Sequence, residues 1–600
     1  MLTPIRFASV VIASILVKYF FDDVLRSTRR SIQIQRLRDI YDYIIVGGGT
    51  AGCVLAGRLS ENPNVTVLLL ESGPEDLDRA FIITPALAGL LWKTSLDWEY
   101  WTERSSTTMS GLQNKRSLWT QGRVLGGSGS IGTMQYVRGS RHDYDRWAKY
   151  LGNAQWDYRH VLQYFKKSED IQISNLKDSV YHGQGGELAV NHVNSQPLVH
   201  KLIEAGKSIG YKFNEDYNGK SMEGISHSQV NTRNNERWST SHAYIHTALG
   251  RKNLYVSVNS HVTRLIMQYH IARGVIVMRN SRKVRILAKQ EVILSAGTIG
   301  SPKILMNSGI GPRAHLESLH IPVIADLPVG ENLQDHVMAD IGVKIEQPLS
   351  HSVKQISDKW NELLYYTLRM GPLTSPLFLE TVAFKTTRQD SKQTSWPDLQ
   401  IQFMSLLETI FEYDTTVKNE MAQRQNADYG FICLPILLHP ESRGRVTLQS
   451  NDPIDYPRIE PNYLEKQKDI DTLITGIQEC EKFVNTKTLQ DIGAELAEKV
   501  PISICNGHKF RSYDYWRCLI KSMPLTAYHP VGTCKMGPRG DPTAVVDADL
   551  RVQGICNLRV VDASIMPWIV SGDTNAATVM IAEVAADLIR SKTPLKPSNL

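Results

Sequence analysis

A glycine-rich turn near the start of the chain constrains the fold more than any other feature. Residues 44–46 form a short β-branched run that suits a buried parallel strand. The run leads directly into Gly47-Gly48-Gly49-Thr50-Ala51-Gly52. Gly47 permits a tight turn, Gly49 lets the backbone approach a pyrophosphate, and Gly52 lets the next helix pack closely on the sheet. The segment predicts a strand, a turn and a following helix whose N-terminus points at phosphate groups, with Thr50 and Ala51 as further candidate cofactor contacts.

An acidic residue completes this pattern. Residues 65–70 are a second apolar run, and Glu71 and Ser72 follow it directly. A carboxylate at the end of the second strand, about 20 residues after the glycines, is placed to accept hydrogen bonds from a ribose. Together the strand, the turn and the acid predict a dinucleotide site. The pattern does not distinguish FAD from NAD.

The size of the chain indicates more than one core. Its 600 residues exceed what one hydrophobic core usually serves, so we expect two closely joined domains. Hydrophobic residues make up 42% and charged residues 21%, which is ordinary for a globular protein. A net charge of +6 is small for this length, and no basic stripe is interleaved with aromatic residues. We therefore expect no nucleic-acid partner.

Cysteine spacing argues against a zinc site. The seven cysteines are scattered, and none forms a C-x-x-C pair, so no metal site is predicted. Cys505 and Cys518 are close in sequence. They could form a disulfide bond, or they could be reduced and buried.

The N-terminus carries an apolar segment that leaves three alternatives open. Residues 7–17 are uninterrupted by charge, which suits a signal-peptide core but is short for a membrane span. No clean cleavage pattern follows. Residues 1–23 are therefore a cleaved signal, an uncleaved membrane anchor or a mature amphipathic segment, and 24–40 read as a polar, basic linker. The expected location is secreted, with N-terminal membrane anchoring as the alternative.

Signals for a cofactor-binding sheet lie at both ends of the chain. Further strands are predicted at 254–258, 262–268, 274–278, 292–294 and 558–562, and an amphipathic helix at 578–589. Residues 150–170 also have helical spacing. The middle of the chain, about 340–500, carries no dinucleotide signal and is expected on the substrate side. A cofactor held by segments so far apart in sequence favours a flavin enzyme over a compact nicotinamide dehydrogenase.

Five further segments carry a family resemblance. They are Gly122-Arg123-Val124-Leu125-Gly126-Gly127-Ser128, residues 297–311, residues 329–336, residues 529–537, which begin His529-Pro530-Val531-Gly532, and residues 561–567. In this order they resemble the signatures of the glucose-methanol-choline (GMC) flavoprotein oxidoreductases, and most of all insect FAD-dependent glucose dehydrogenase-like members. The resemblance extends from about residue 41 to the last helix.

The resemblance implies an α/β fold and a flavin cofactor. A Rossmann-type FAD-binding domain would be combined with a discontinuous α+β substrate domain. Residues 41–340 would form the FAD-binding domain with inserted substrate-side segments, 341–505 mainly the substrate-binding domain, and 506–600 a return to the FAD-binding domain. The implied activity is oxidation of an alcohol CH–OH group with FAD.

The resemblance also assigns cofactor contacts. Besides the glycine-rich turn and Glu71 with Ser72, the implied contacts are Arg123, Gly127, Ser128, Val262, Ala296, Gly297, Asp562, Ala563, Asn575 and Ala576. Val262 is expected to contact the adenine through its backbone. Asp562 is expected near the ribityl and pyrophosphate part.

The catalytic residues follow from chemistry and motif together. An alcohol gives up its proton at neutral pH only to a base, and histidine has a suitable pKa near ~6.5. Among 17 histidines, His529 matches the family's histidine in the H-P-V-G segment. Asn575 occupies the partner position, where an amide can hydrogen-bond the substrate oxygen.

Four residues depart from the family pattern. Gly132 replaces a common Asn near the reactive edge of the flavin, and Gly129 replaces a small polar residue. Asp573 stands where Asn is common, and Ala577 where Pro is common. Loss of the Asn side chain could slow reoxidation or shift substrate choice. The Asp573 carboxylate could compensate, or it could repel an anionic reduced flavin.

Three functions are compatible with these observations. The first is an FAD-dependent dehydrogenase for an alcohol, a sugar or a sterol, which passes electrons to a quinone or another carrier. The second is an oxidase on the same scaffold that uses oxygen. The third is a secreted flavin-binding protein with impaired turnover.

Overall fold

The computed structural model describes residues 37–76, 80–193, 195–388, 395–408, 411–424, 427–591, 593 and 595–600. The predicted signal or anchor and most of the predicted linker lie outside these described residues. Within the described residues, none of the helices has the length and apolar character needed to cross a bilayer.

Two large sheets organise the protein. Their strands, in chain order, are β1 (Ile40–Val46), β2 (Val67–Leu70), β3 (Gly224–His227), β4 (Leu254–Ser257), β5 (Ser260–Gln268), β6 (Ile271–Arg279), β7 (Arg282–Leu294), β8 (Val337–Met338), β9 (Ile341–Lys344), β10 (Leu379–Lys385), β11 (Leu399–Met404), β12 (Gly430–Leu437), β13 (Glu495–Leu496), β14 (Leu525–Thr526) and β15 (Leu558–Val560). Short strands at Tyr100–Trp101, Leu118–Trp119, Glu169–Ile171, Leu188–His192, Gln229–Val230, Thr232–Arg233, Glu236–Arg237, Arg445–Thr447 and Arg458–Glu460 form smaller sheets.

Helices cover both sheets. Four helices matter most for the site and the core: α1 (Thr50–Leu59), α2 (Gly297–Asn307), α3 (Gln467–Val484) and α4 (Thr574–Ile589). The other α-helices are Ala80–Ile83, Ser128–Ile131, Arg141–Leu151, Tyr158–Ser168, Pro197–Ser208, Arg313–Ser318, Val353–Ile356, Lys359–Leu368, Thr415–Arg424, Lys487–Gln490 and Tyr513–Ser522.

The first sheet is the predicted cofactor-binding sheet. Five strands run parallel in the order β4-β2-β1-β7-β15, so the first and last strands of the described chain belong to one sheet. The residues of β2 are all buried, as expected for a parallel strand covered on both faces. The other half of β7 pairs antiparallel with β6, which pairs with β5.

The second sheet is antiparallel and lies on the substrate side. Its strand order is β13-β9-β12-β11-β10-β3, with β8 bridging β12 and β14. Helix α3 packs on β12 and β11, and a disulfide between Cys433 of β12 and Cys480 of α3 joins them. Sequence spacing did not indicate this disulfide. Of the two alternatives for Cys505 and Cys518, the structure shows the disulfide.

The observed element boundaries differ from the predicted ones for local reasons. The helical spacing predicted over 150–170 is interrupted, because Gly152 adopts a left-handed conformation (φ 61°) and ends the helix Arg141–Leu151. A new helix, Tyr158–Ser168, begins after Asp157, whose side chain caps it by accepting a hydrogen bond from the His160 N–H. The last helix begins at Thr574, one turn before the predicted start at 578.

Candidate active site

One cleft collects the loops that follow the parallel strands. Gly47 follows β1, Glu71 follows β2, Ala296 follows β7 and Asp562 follows β15, and all four residues line this cleft. Ligands of open α/β sheets bind outside the carboxyl ends of the strands, where the present loops meet. The fold therefore forms a cleft at the predicted place.

The glycine-rich turn has the packing that its sequence predicts. A Cβ on Gly47 would come 2.4 Å from the Ser295 carbonyl oxygen, and a Cβ on Gly52 would come 1.9 Å from the Gly47 carbonyl oxygen. By contrast, the nearest atom to a Cβ on Gly49 would be the Gly127 Cα at 3.8 Å. Gly47 and Gly52 thus serve close packing, whereas Gly49 borders open space. Helix α1 begins beyond Gly49 without a side-chain cap, so its first N–H groups can receive an anion.

Glu71 is a buried carboxyl group held by backbone amides. Its Oε2 accepts a hydrogen bond from the Gly48 N–H at 2.8 Å, and its Oε1 accepts one from the Gly73 N–H at 2.7 Å. Burial raises the pKa of Glu71 to about 7, although these hydrogen bonds oppose the shift. Next to it, the Ser72 Oγ lies 3.0 Å from the Nδ1 of His261.

A second glycine loop lies against the first one. Gly126 (φ +87°) and Gly127 (φ +57°) both have left-handed backbones, which glycine adopts without strain. The Gly126 N–H donates to the Gly48 carbonyl at 2.7 Å, and a Cβ on Gly127 would come 2.7 Å from the Gly49 Cα. The two loops therefore form one continuous floor of main chain, which allows a flat ring to approach closely.

Asp562 ties the last strand to the loop after β7. Its Oδ2 accepts hydrogen bonds from the Gly297 N–H at 2.9 Å and the Ser301 hydroxyl at 2.6 Å, while its Oδ1 accepts from the Ser564 N–H at 2.8 Å. Burial raises the pKa of Asp562, and the same hydrogen bonds oppose this shift. The carboxyl thus fixes two cleft-lining loops that lie 265 residues apart in sequence.

The cleft brings together most of the predicted site residues. Those that line it are Gly47, Gly49, Thr50, Ala51, Glu71, Ser72, Gly127, Ser128, Ala296, Gly297, His529, Asp562, Ala563 and Asn575. The predicted contacts that do not line it are Gly52, Arg123, Val262 and Ala576. Gly52 lies behind the turn, Val262 and Ala576 are buried, and Arg123 places its guanidinium 5.3 Å from the Trp98 ring centre. The cofactor roles of all these residues, inside and outside the cleft lining, remain predictions.

The lining of the cleft fits a large dinucleotide. Four buried oxygen atoms of residues that line it have no hydrogen-bond partner among the described residues: Thr120 Oγ1, Thr240 Oγ1, Ser295 Oγ and Asp573 Oδ2. Buried polar atoms are normally paired, so such atoms indicate a group that binds there. The open side of Gly49, the uncapped helix α1 and the Glu71 carboxyl would hold the pyrophosphate and ribose of FAD. Gly127 and Ser128 would lie against its ring.

His529 lies in the wall of the cleft in a chain of polar contacts. Its Nδ1 is 3.0 Å from the Nδ1 of His336, and its Nε2 is 3.2 Å from an oxygen of Asp573. Its backbone N–H donates to the Asp335 carboxyl at 2.9 Å. Burial would lower the pKa of His529, but the charge and hydrogen bond of Asp573, together with the charge of Asp335, outweigh burial and raise it. The imidazole is therefore held at both ring nitrogens, and the backbone of His529 is held at a third point.

Asn575 lies at the start of helix α4 and also lines the cleft. Its side-chain oxygen accepts a hydrogen bond from the Thr50 hydroxyl at 2.9 Å, and its amide nitrogen is 3.5 Å from the side-chain oxygen of Asn231. The contact with Thr50 joins the two ends of the chain at the cleft. Its amide group also leaves donor capacity for a substrate oxygen.

Several residues that line or support the cleft were not predicted from the sequence. Arg237, which is 1% exposed, donates to the carbonyls of Gly129, Gly132 and Ile82 and so supports the loop where the family pattern is broken. No motif marks it. His336 could have been recognised from the sequence, because it is the last residue of segment 329–336, which carries part of the family resemblance. The aromatic wall, Trp92, Trp98, Tyr100 and Tyr528, had no periodic signal.

One group of described residues has spacing that could hold a metal ion: Asp76, His242 and His246. The Asp76 carboxylate accepts from the Ser241 hydroxyl at 3.1 Å, lies 3.1 Å from the Nε2 of His246 and 3.4 Å from the Nδ1 of His242. The contacts with Ser241 and His246 both fall on Oδ1, whereas Oδ2 has no hydrogen-bond partner among the described residues. The expectation that the protein has no metal site remains a prediction.

Comparison with known families identifies the family of the chain. The family model described as GMC oxidoreductase matches residues 41–338 in its N-terminal part and residues 440–582 in its C-terminal part. The chain belongs to the GMC oxidoreductase family, which confirms the resemblance drawn from the motifs. The protein is an FAD-dependent oxidoreductase of the class that acts on CH–OH groups.

Individual relatives cover nearly the whole chain. It is 36% identical over 555 residues to glucose dehydrogenase (FAD, quinone) of Drosophila pseudoobscura pseudoobscura, a match that covers 92% of this chain and 87% of the relative. It is 37% identical to alcohol dehydrogenase (acceptor) of Pseudomonas putida, covering 92% and 96%. Among solved structures, pyridoxine 4-oxidase from Mesorbium loti superposes with a TM-score of 0.77 at 29% identity, covering 92% and 100%.

Proposed function

We propose that the protein oxidises the CH–OH group of a sugar, an alcohol or a sterol and passes the electrons to a quinone-like acceptor. The observation that carries this proposal is the position of His529, a candidate base, on the wall of the cleft whose glycine loops would hold FAD. When bound, FAD supplies a hydride acceptor. The substrate is thus a small molecule that reaches His529 and the flavin ring at once.

The residues of the chain have distinct parts in this reaction. His529 removes the hydroxyl proton, which makes the alcohol carbon a better hydride donor. Asn575 donates a hydrogen bond to the substrate oxygen as its negative charge develops. The aromatic side chains of Trp92 and Tyr528, whose ring centres are 5.1 Å apart, line the cleft with apolar surface and exclude water from the substrate.

The choice of a dehydrogenase rests on the relatives. Two of them are named as a glucose dehydrogenase that uses quinone and an alcohol dehydrogenase that uses an acceptor, and both cover more than nine-tenths of this chain. An oxygen-using oxidase is the alternative, because a pyridoxine oxidase has the same fold. Gly132, Gly129 and Asp573, which depart from the family pattern, support the third possibility of a flavin-binding protein with impaired turnover.

Anaerobic reduction of the bound flavin tests the proposal. Purified protein should be yellow, and at least one member of a panel of sugars, alcohols and sterols should bleach its absorbance. Air should then restore the colour slowly with little peroxide, and a soluble quinone should restore it fast. Rapid peroxide formation would instead identify an oxidase. Protein that binds FAD but is bleached by no member of the panel would contradict both enzyme functions.

Substitution of the base provides the first prediction. His529→Ala should retain FAD but reduce the rate of flavin reduction at least ~100-fold, because no general base remains at the hydroxyl. His508→Ala is the matched control, since His508 is exposed and lies outside the cleft. Stopped-flow absorbance measures both rates. Unchanged reduction in the His529→Ala protein would exclude His529 as the base.

We also propose that the protein is secreted. The disulfides Cys433–Cys480 and Cys505–Cys518 support this proposal, since disulfides persist mainly in oxidising compartments. The apolar run at residues 7–17 supports it as well.

A further inference from the structure

Asp573 is a buried carboxylate in direct contact with the candidate base. It is 9% exposed, and its Oδ1 lies 3.2 Å from the Nε2 of His529. Its Oδ2 is buried and has no hydrogen-bond partner among the described residues. Both Asp573 and His529 line the cleft, so the carboxylate lies beside the place where the substrate hydroxyl must bind.

The neighbouring histidine determines which nitrogen of His529 carries a proton. His336 is fully buried, and its Nε2 is 3.1 Å from the Leu438 carbonyl, which can only accept. Burial, reinforced by the nearby imidazoles of His529 and His439, lowers the pKa of His336 well below its ordinary value, so His336 is neutral. Its Nε2 therefore donates and its Nδ1 accepts. The facing Nδ1 of His529, at 3.0 Å, must donate.

The remaining nitrogen of His529 then faces a carboxylate. With Nδ1 protonated, a neutral His529 would direct the lone pair of Nε2 at the Asp573 oxygen, which is repulsive. A second proton on the imidazole converts this contact into a charge-assisted hydrogen bond. The geometry thus favours an imidazolium–carboxylate pair in the resting protein.

We propose that Asp573 is a positioning residue that makes His529 a stronger base and stabilises the imidazolium formed when His529 accepts the substrate proton. This inference rests on the proposed alcohol oxidation. The step is balanced: the proton leaves the substrate oxygen, the N–H bond forms at Nε2 of His529, and Asp573 keeps its negative charge throughout. Catalysis therefore begins only after the resting pair has released its own proton, so the rate should rise with pH.

The other charged groups around the pair are few. Asp335 faces the backbone of His529 and accepts hydroxyl hydrogen bonds from Thr526 and Tyr463, and it adds a second negative charge. Tyr217 faces Asp573 as a neutral phenol, because burial raises its pKa well above the ordinary value. His439 faces His336, and burial lowers its pKa to about 3, so it carries no charge. Within the part of the chain that the structure describes, Asp573 alone contacts the imidazole of His529 with a carboxylate.

The variant Asp573→Asn tests this inference because it keeps the size of the side chain and removes the charge. The measurement is the pH dependence of flavin reduction by the holoenzyme, in which loss of a proton from His529 activates the enzyme. In Asp573→Asn the pKa of this ionisation should be about 1–3 units lower than in wild type, because an opposite charge at this distance shifts a pKa by that amount. Asp573→Glu keeps the negative charge and should therefore retain the raised pKa of this ionisation. Glu380→Gln, which removes a buried carboxylate 2.9 Å from His351 outside the cleft, should leave the profile unchanged.

A measurement without substrate separates the two proposals. Holoenzyme labelled with isotopes in histidine allows the titration of His529 to be followed by NMR, and its signal is assigned by its loss in His529→Gln. The His529 midpoint should fall by the same 1–3 units in Asp573→Asn. A midpoint within about 0.3 units of wild type would overturn the role of Asp573 even if alcohols reduce the flavin. If the midpoint shifts but no alcohol reduces the flavin, the result contradicts the proposed alcohol oxidation and still supports the ion pair between Asp573 and His529.

Discussion

Glu71 is a single residue whose ionisation should govern cofactor binding. Burial raises the pKa of its carboxyl to about 7, so the carboxyl of the free protein is largely protonated below that pH. Ribose hydroxyls donate hydrogen bonds, and an ionised carboxylate accepts them better than a protonated one. Binding of FAD should therefore lower this pKa and release a proton.

We expect the affinity of the apoprotein for FAD to rise roughly tenfold between about pH 5.5 and about pH 8, since one pKa unit corresponds to a factor of ten. Quenching of FAD fluorescence measures the dissociation constant. In Glu71→Gln the affinity should be lower and nearly independent of pH in this range. An equally steep pH dependence in Glu71→Gln would show that another group is responsible.

At the scale of elements, the close contact between the turn after strand β1 and helix α1 requires a glycine at position 52. A Cβ at Gly52 would lie 1.9 Å from the Gly47 carbonyl oxygen, so Gly52→Ala must push α1 away from the turn. Overpacking of this kind costs about 1–3 kcal/mol. Displacement of α1 would also move the N–H groups that are placed to bind the pyrophosphate.

Gly52→Ala should therefore be purified with less FAD and should unfold at a lower temperature than wild type. The ratio of flavin to protein absorbance and a thermal melt measure these two effects. Gly250→Ala is the matched control, because a Cβ there would meet no atom within 4 Å. A Gly52→Ala protein with full FAD content and an unchanged melting temperature would contradict the packing described for the turn.

At the scale of the whole molecule, the secretion proposal makes a prediction about the mature chain. When the full chain with a C-terminal tag is expressed in eukaryotic cells, the tagged protein should appear in the medium. Its mass should correspond to loss of a segment near residues 1–23. Recovery of the intact chain from the membrane pellet would instead support the anchor alternative.

The cofactor-binding sheet was largely predictable from the sequence, whereas the substrate-side sheet was not. Runs such as 44–46 and 292–294 are short, β-branched and adjacent to glycine motifs, so both their type and their role could be recognised. Strands β10 and β12 are buried along nearly all their length and lack the alternation that marks an exposed antiparallel strand. Their pairing depends on contacts that no local pattern contains.

In the site, too, residues within local motifs could be predicted, whereas contacts between residues far apart in sequence could not. His529 and Asn575 were placed by motif, and both line the cleft. The contact of His529 with His336 spans 193 residues, and the disulfide of Cys433 with Cys480 spans 47. The sequence marked Asp573 as unusual, but only the folded protein shows that it touches His529.

The first and last parts of the chain meet in one structure. Strand β15 completes the parallel sheet that β1 begins, and Glu583 of helix α4 forms an ion pair with Arg58 of helix α1 at 2.8 Å. The ribosome must therefore translate the chain through helix α4 before these contacts can form and the growing chain can enclose FAD. A premature stop codon between His529 and Glu583 would remove part of α4 and the ion pair with Arg58, and would abolish the flavoenzyme as a whole.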